Sequence, residues 1–127
     1  MLKQKNSKIQ GNIGIGAAIS YFTSMGWFLS IPLNDSQKYD LVVDIDGKLN
    51  RVQVKTCRYK RKNYEVSLQT NGGNRSGIGK RKPFDNSKVE YLFVLVESGD
   101  MWFIPSKYIT QKNSMHLTEK YNEHKIT

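Results

Sequence analysis

The chain has 127 residues, enough for one domain with a modest core, and its 20 lysines and arginines against 11 acidic residues leave a formal net charge of +9. No run approaches the roughly 18 apolar residues a membrane-spanning helix needs, and the basic opening MLKQKNSKIQ is followed by no apolar core of the kind a signal peptide carries. Cys57 is the single cysteine, so no intrachain disulfide is possible and a reducing, cytoplasmic setting is expected.

Residues 1–10 read as a flexible basic arm. Ile13, Ala17, Ala18, Tyr21, Phe22 and Met25 recur at helical spacing, and Gly26 supplies a stop. Gly11, Gly14 and Gly16 weaken the opening turns, so the firm helix is expected from about Ile15 to Met25. Trp27–Ile31 reads as a short strand ended by Pro32. Tyr39–Ile45 and Lys48–Thr56 are strand-like runs joined by Asp46-Gly47, a strong two-residue hairpin signal. Tyr64–Gln69 alternates as a further strand, and residues 71–83 form a basic, glycine-rich loop. Tyr91–Val96 is an apolar run suited to a buried central strand. The turn Ser98-Gly99-Asp100 returns the chain as Met101–Ile104, which Pro105 ends. Ser106–Ile109 reads as a helical turn and Met115–Thr118 as a last strand. Nothing divides the chain, so a single domain over 1–127 is expected, of mixed α/β class.

The positive surplus gathers in two clusters, Arg58, Lys60, Arg61 and Lys62, then Arg75, Lys80, Arg81 and Lys82. Such clusters suit a nucleic acid, because neutralised phosphates release condensed counterions.

The hairpin can be registered by arithmetic. With Asp46-Gly47 as the turn, Ile45 pairs with Lys48, Leu41 faces Val52 on the core side, and Asp40 falls across from Gln53. Lys55, two residues beyond Gln53, projects from the same face. One carboxylate, one amide and one ammonium thereby converge. That trio suits phosphodiester hydrolysis: Asp40 and Gln53 offer the oxygen ligands that magnesium prefers, and Lys55 can position the attacking water or stabilise developing negative charge.

Tyr39-Asp40-Leu41-Val42-Val43 followed by Arg51-Val52-Gln53-Val54-Lys55-Thr56 resembles the PD-(D/E)XK nuclease superfamily. More narrowly it is similar to the small branch of bacterial group I intron-encoded homing endonucleases, in which glutamine often replaces the middle acid as Gln53 does here. The likeness spans about residues 8–109. It implies a restriction-endonuclease-like core with a mixed β-sheet, an N-terminal helix and flanking helical turns. It implies magnesium, with manganese able to substitute, a double-stranded DNA substrate, a homodimer or homotetramer, and a place on the nucleoid through DNA. It also implies that the Val54 carbonyl is a metal ligand beside Asp40 and Gln53. One departure stands out: relatives often carry a glutamate on the first helix, and the corresponding place, counted back from Gly26, holds Ile15, with Asn12 as the nearest polar substitute.

A junction-resolving nuclease of the same fold and a DNA-binding module that has lost catalysis are the alternatives. A phosphate-loop reading of Asn71–Lys82 fails, since the position five before Gly79 is Asn74, and Arg81 stands where Ser or Thr is needed. His116 and His124 lack the further ligands of a zinc site, and Cys57 reads as a passive thiol. For an oligomer, the edges of the Tyr91–Ile104 hairpin and the tail after Ile109 are the expected surfaces.

Overall fold

Helix α1 spans Ser7–Ser24, eight residues more at its start than the glycine content suggests. The computed structural model describes residues 6–34, 37–60, 63–71 and 81–127. Asn6 begins the helix: its side-chain oxygen accepts the Lys8 N–H at 2.9 Å and its carbonyl the Gln10 N–H at 3.0 Å. Residues 7–10 are therefore helical, not part of a flexible arm. The glycines are tolerated because one of them is wanted. Gly14, Ala18 and Phe22 form the buried stripe, and a Cβ on Gly14 would lie 2.7 Å from Thr56 Cγ2 and 3.2 Å from Val54 Cγ1. The small face lets α1 sit directly on a strand. At the other end Gly26 takes φ +77°, and the Trp27 N–H returns to the Phe22 carbonyl at 3.0 Å, which ends the helix as the sequence predicts.

Among the described residues eleven strands follow: β1 (Phe28–Ser30), β2 (Leu41–Ile45), β3 (Lys48–Cys57), β4 (Tyr59–Lys60), β5 (Asn63–Ser67), β6 (Thr70–Asn71), β7 (Arg81–Lys82), β8 (Tyr91–Val96), β9 (Met101–Pro105), β10 (Ser114–His116) and β11 (Lys125–Ile126). Short 3-10 turns cover Ser106–Tyr108 and Glu119–His124. Six strands make the main sheet in the order β1-β2-β3-β8-β9-β11, with β3 and β8 parallel and the other neighbours antiparallel. A smaller sheet, β10-β5-β4, and the β6–β7 pair lie beside it. The expected mixed sheet with an N-terminal helix is thus the observed fold.

Register follows from the β2–β3 turn. Asp46 and Gly47 both adopt positive φ, 53° and 90°, and the Gly47 N–H donates to Asp44 Oδ1 at 2.8 Å. Ile45 then pairs with Lys48 and Leu41 with Val52, as the arithmetic requires. β8 is buried on both faces: Phe93 and Leu95 pack with Ala18, Phe22, Leu41, Val43 and Val52 under the helix. Leu92, Val94 and Val96 pack on the other side with Val66, Trp102, Ile104 and Met115. The Tyr91–Ile104 hairpin is consequently no sheet edge, because β3 flanks β8 and β11 covers β9; the outer strands are β1 and β11. The loop at 71–83 is strand at both ends, Asn71 facing Arg81. Among the described residues no helix is long and apolar enough to cross a membrane.

Candidate active site

β3 is longer than β2, and the site lies where β2 runs out. The ladder's last register pair is Leu41 with Val52. The Asp40 N–H also goes to the Val52 carbonyl, at 2.9 Å, so two residues share one partner in the manner of a bulge. Asp40 is therefore not set squarely across from Gln53, as simple pairing would have it. Its carboxylate instead turns along β3, and Oδ2 accepts the Val54 N–H at 2.8 Å. In an extended strand a residue's N–H and C=O project to the same side, so the Val54 carbonyl faces the edge on which Asp40 sits.

Lys55 follows directly. Its ammonium donates to the Gln69 carbonyl at 2.8 Å, which ties β3 to the segment between β5 and β6. Burial is the main influence on both charged groups, and it acts in opposite directions. It pushes the Asp40 carboxyl above the usual range, against the Val54 hydrogen bond and the nearby Lys55 charge, which pull it down. It pushes the Lys55 ammonium below its usual range, against Asp40 and aided by repulsion from Arg81. Each group is thus made easier to neutralise; the Asp40 carboxylate is supported first by the Val54 N–H and then by the Lys55 charge, and the Lys55 ammonium by Asp40.

Gln53 is buried, with 5% of its surface exposed. It neighbours Leu92 across the parallel ladder and lines a small cavity with Lys38, Thr70 and Phe84. The contacts that assemble the site run through Asp40, Val54 and Lys55. Gln53 stands one residue behind them.

The helix contributes no acid. Asn12 is exposed and Ile15 is half-buried among apolar neighbours. The polar side chain that α1 brings to the β3 end is Gln10, one turn before Gly14, in a cavity shared with Thr56, Cys57, Asn63, Glu65 and His116. Helical spacing from Gly14 is the signal that points to it. Among the described residues no three His, Cys, Asp or Glu side chains group as a metal site. The oxygen donors on hand are one carboxylate, one backbone carbonyl and one amide. Such a hard but sparse set fits a magnesium-like cation that keeps several water or phosphate ligands.

Of the predicted basic residues, Arg58 follows β3 and lines the Gln10 cavity, and Lys60 lies in β4. Lys82 is exposed on β7, and Arg81 is close enough to Lys55 to act on its charge. Arg61, Lys62, Arg75 and Lys80 lie outside the described residues. Burial raises the Cys57 thiol to about 12, consistent with a passive role. His116 is held by Asn63, 2.7 Å from Nδ1, and His124 stacks on Tyr108.

Residues 5–127 match the family described as PD-(D/E)XK endonuclease. The chain belongs to that family. Among solved structures it is similar to the bacterial homing endonuclease I-Ssp6803I, with 26% identity and a TM-score of 0.71 over 94% of this chain and 87% of that one. No curated protein matches it.

Proposed function

We propose that this PD-(D/E)XK endonuclease is a magnesium-dependent enzyme that hydrolyses phosphodiester bonds of double-stranded DNA, in the manner of intron-homing or restriction-like nucleases. The observation that carries the reading is the mutual burial of Asp40 and Lys55 at the point where β2 leaves β3. Asp40, the Val54 carbonyl and the Gln53 amide are the residues that would hold the cation. When bound, it would supply Lewis-acid polarisation of the scissile phosphate and of an attacking water.

The protein's own share is positioning and charge. Asp40 keeps a carboxylate at the β3 edge, oriented by the Val54 N–H. Lys55, desolvated and anchored on the Gln69 carbonyl, orients the water or offsets negative charge as it grows on the phosphate. The basic surface holds the strands. One chain brings one such site and a duplex has two strands, so a homodimer or homotetramer is part of the reading.

The lack of any acid on α1 favours a second reading, a DNA-binding module without turnover. Plasmid cleavage with magnesium and with EDTA, wild type beside Lys55→Ala, separates the two. Magnesium-dependent nicking by wild type alone supports the enzyme, and duplex binding with no nicking supports the module. Linear duplex against a four-way junction sorts the homing-like from the resolvase-like substrate.

A further inference from the structure

On the Gln53 side of the site the surface opens into a groove that no run of the sequence announces. A cavity of about 480 Å3 is lined by Lys38, Lys82 and Lys112, and a narrow recess beside it is lined by Lys38, Lys88 and Gln53. Four lysines from three separate stretches of chain line these walls, and Asp85 is the one acidic side chain on them. That carboxylate is already engaged: its Oδ1 accepts the Ser87 N–H at 2.9 Å and the Ser87 hydroxyl at 2.6 Å. Among the described residues none of the four lysines forms an ion pair.

The walls are tied together. The Phe84 N–H donates to the Lys112 carbonyl at 2.7 Å, and Asn86 Nδ2 donates to the Ile109 carbonyl at 3.1 Å. Phe84 is buried beneath them. The lysines therefore stand on a braced floor, and all four are exposed to solvent.

We propose that this groove is a phosphate-binding subsite that seats the backbone of the nucleic-acid strand entering the active site. The inference rests on the nuclease reading and adds the strand's path to it. Lys38 is two residues from Asp40, and Gln53 two from Lys55. Two residues span at most about 7 Å, and a DNA strand advances about 3.4 Å per nucleotide. A phosphate at the Lys38 end of the groove thus lies within a few nucleotides of the carboxylate. Lys38, Lys88 and Lys112 join the interface, although none belongs to the two clusters visible in the sequence.

The test compares two triple variants that each remove three charges: Lys38→Gln, Lys88→Gln and Lys112→Gln in the groove, and Lys107→Gln, Lys120→Gln and Lys125→Gln elsewhere. Anisotropy of a labelled duplex is titrated in EDTA at several salt concentrations, so that binding is read without cleavage. The groove triple is expected to lose at least about tenfold in affinity near 0.1 M salt. Its plot of log affinity against log salt should flatten by roughly 2–3, since each phosphate contact contributes about 0.9 to the slope. The control triple should keep the wild-type slope. Equal losses in both triples, or an unchanged slope in the groove triple, overturn the subsite. Lys112→Glu alone, with its melting temperature measured alongside, provides the same readout should the triple fold poorly. Wild-type protein with no salt-dependent duplex binding would overturn the nuclease reading itself, a result distinct from either.

Discussion

Replacing Gly14 with alanine sets two effects of known sign against each other. Alanine in a helix interior is better than glycine by about 0.5–1 kcal/mol. At Gly14 the new Cβ would lie 2.7 Å from Thr56 Cγ2 and 3.2 Å from Val54 Cγ1. Both neighbours are β-branched and stiff at χ1, so α1 or β3 must move, and overpacking of this kind costs about 1–3 kcal/mol. The expected net is a loss of about 1 kcal/mol. At Gly11 and Gly16 an added methyl would meet nothing within 4 Å, so alanine there should gain the full helix term. The same substitution thus changes sign within one and a half turns, a spread of about 1.5–2 kcal/mol. Urea unfolding reads it directly: with a slope of about 1–3 kcal/mol per molar, the midpoints of Gly14→Ala and Gly11→Ala should differ by about 0.5–2 M. The displacement also bears on Val54, whose amide and carbonyl face Asp40, so Gly14→Ala should slow cleavage where Gly11→Ala does not. A Gly14→Ala protein that unfolds at the same urea concentration as Gly11→Ala, or higher, refutes the close-packing argument.

Asp40→Ala should abolish magnesium-dependent cleavage while duplex affinity stays the same or rises, and Gln53→Ala should reduce cleavage less, since a neutral amide contributes less to cation binding than a carboxylate; nicking assays beside anisotropy check both. Asp40→Asn should raise the melting temperature in EDTA at pH 7, because burial lifts the folded-state pKa of Asp40. A raised carboxyl pKa gives stability that is present in acid and lost as pH rises through the folded value, so the gain should vanish below about pH 4. Glu90→Gln should behave in the opposite sense. Hydrogen bonds from the Arg51 side chain hold the Glu90 carboxyl down, and the stability they confer is present above about pH 4.3 and lost as pH falls through the depressed value. At neutral pH the loss should be about 1 kcal/mol for so solvent-accessible a pair, read by urea melts at pH 7 and pH 3.5.

What is legible in the chain is whatever depends on near neighbours. Asp46-Gly47 specifies the turn, and through it the pairing of Leu41 with Val52. The unbroken apolar run Tyr91–Val96 announces a strand buried on both faces. The start of α1 is hidden from propensity, which counts each glycine as a cost, whereas Gly14 is there for its contact with β3, 40 residues on. The two-residue strands β4, β6, β7 and β11 carry too little pattern to show, and pairing with distant partners makes them. Asp40, Gln53 and Lys55 stand out as a set, but the shared Val52 carbonyl that turns Asp40 toward Val54 does not. The bond network of Arg51 and Glu90, 39 residues apart, is equally hidden. So is most of the lysine groove, since charge in a sequence shows as contiguous clusters, and of the four only Lys82 belongs to one.

The position of the site follows from a mismatch in strand length. A residue inside a ladder has its N–H and carbonyl taken by neighbours and offers a ligand nothing but a side chain. β3 loses its β2 partner after Val52 yet keeps β8 as far as Cys57. From Val54 onward it is firmly held on one side and unpaired by β2 on the other. Asp40 takes up the freed Val54 N–H, which leaves an anion fixed beside a carbonyl without a rigid cage of ligands. Because Lys55 lies next in sequence but is turned to bond the Gln69 carbonyl, the cationic and anionic groups are brought together from different directions. Each is partly desolvated, and among the described residues neither is quenched by a direct ion pair. A strand end of this kind brings carboxylate, carbonyl and ammonium together, and the helix packs directly on it through Gly14.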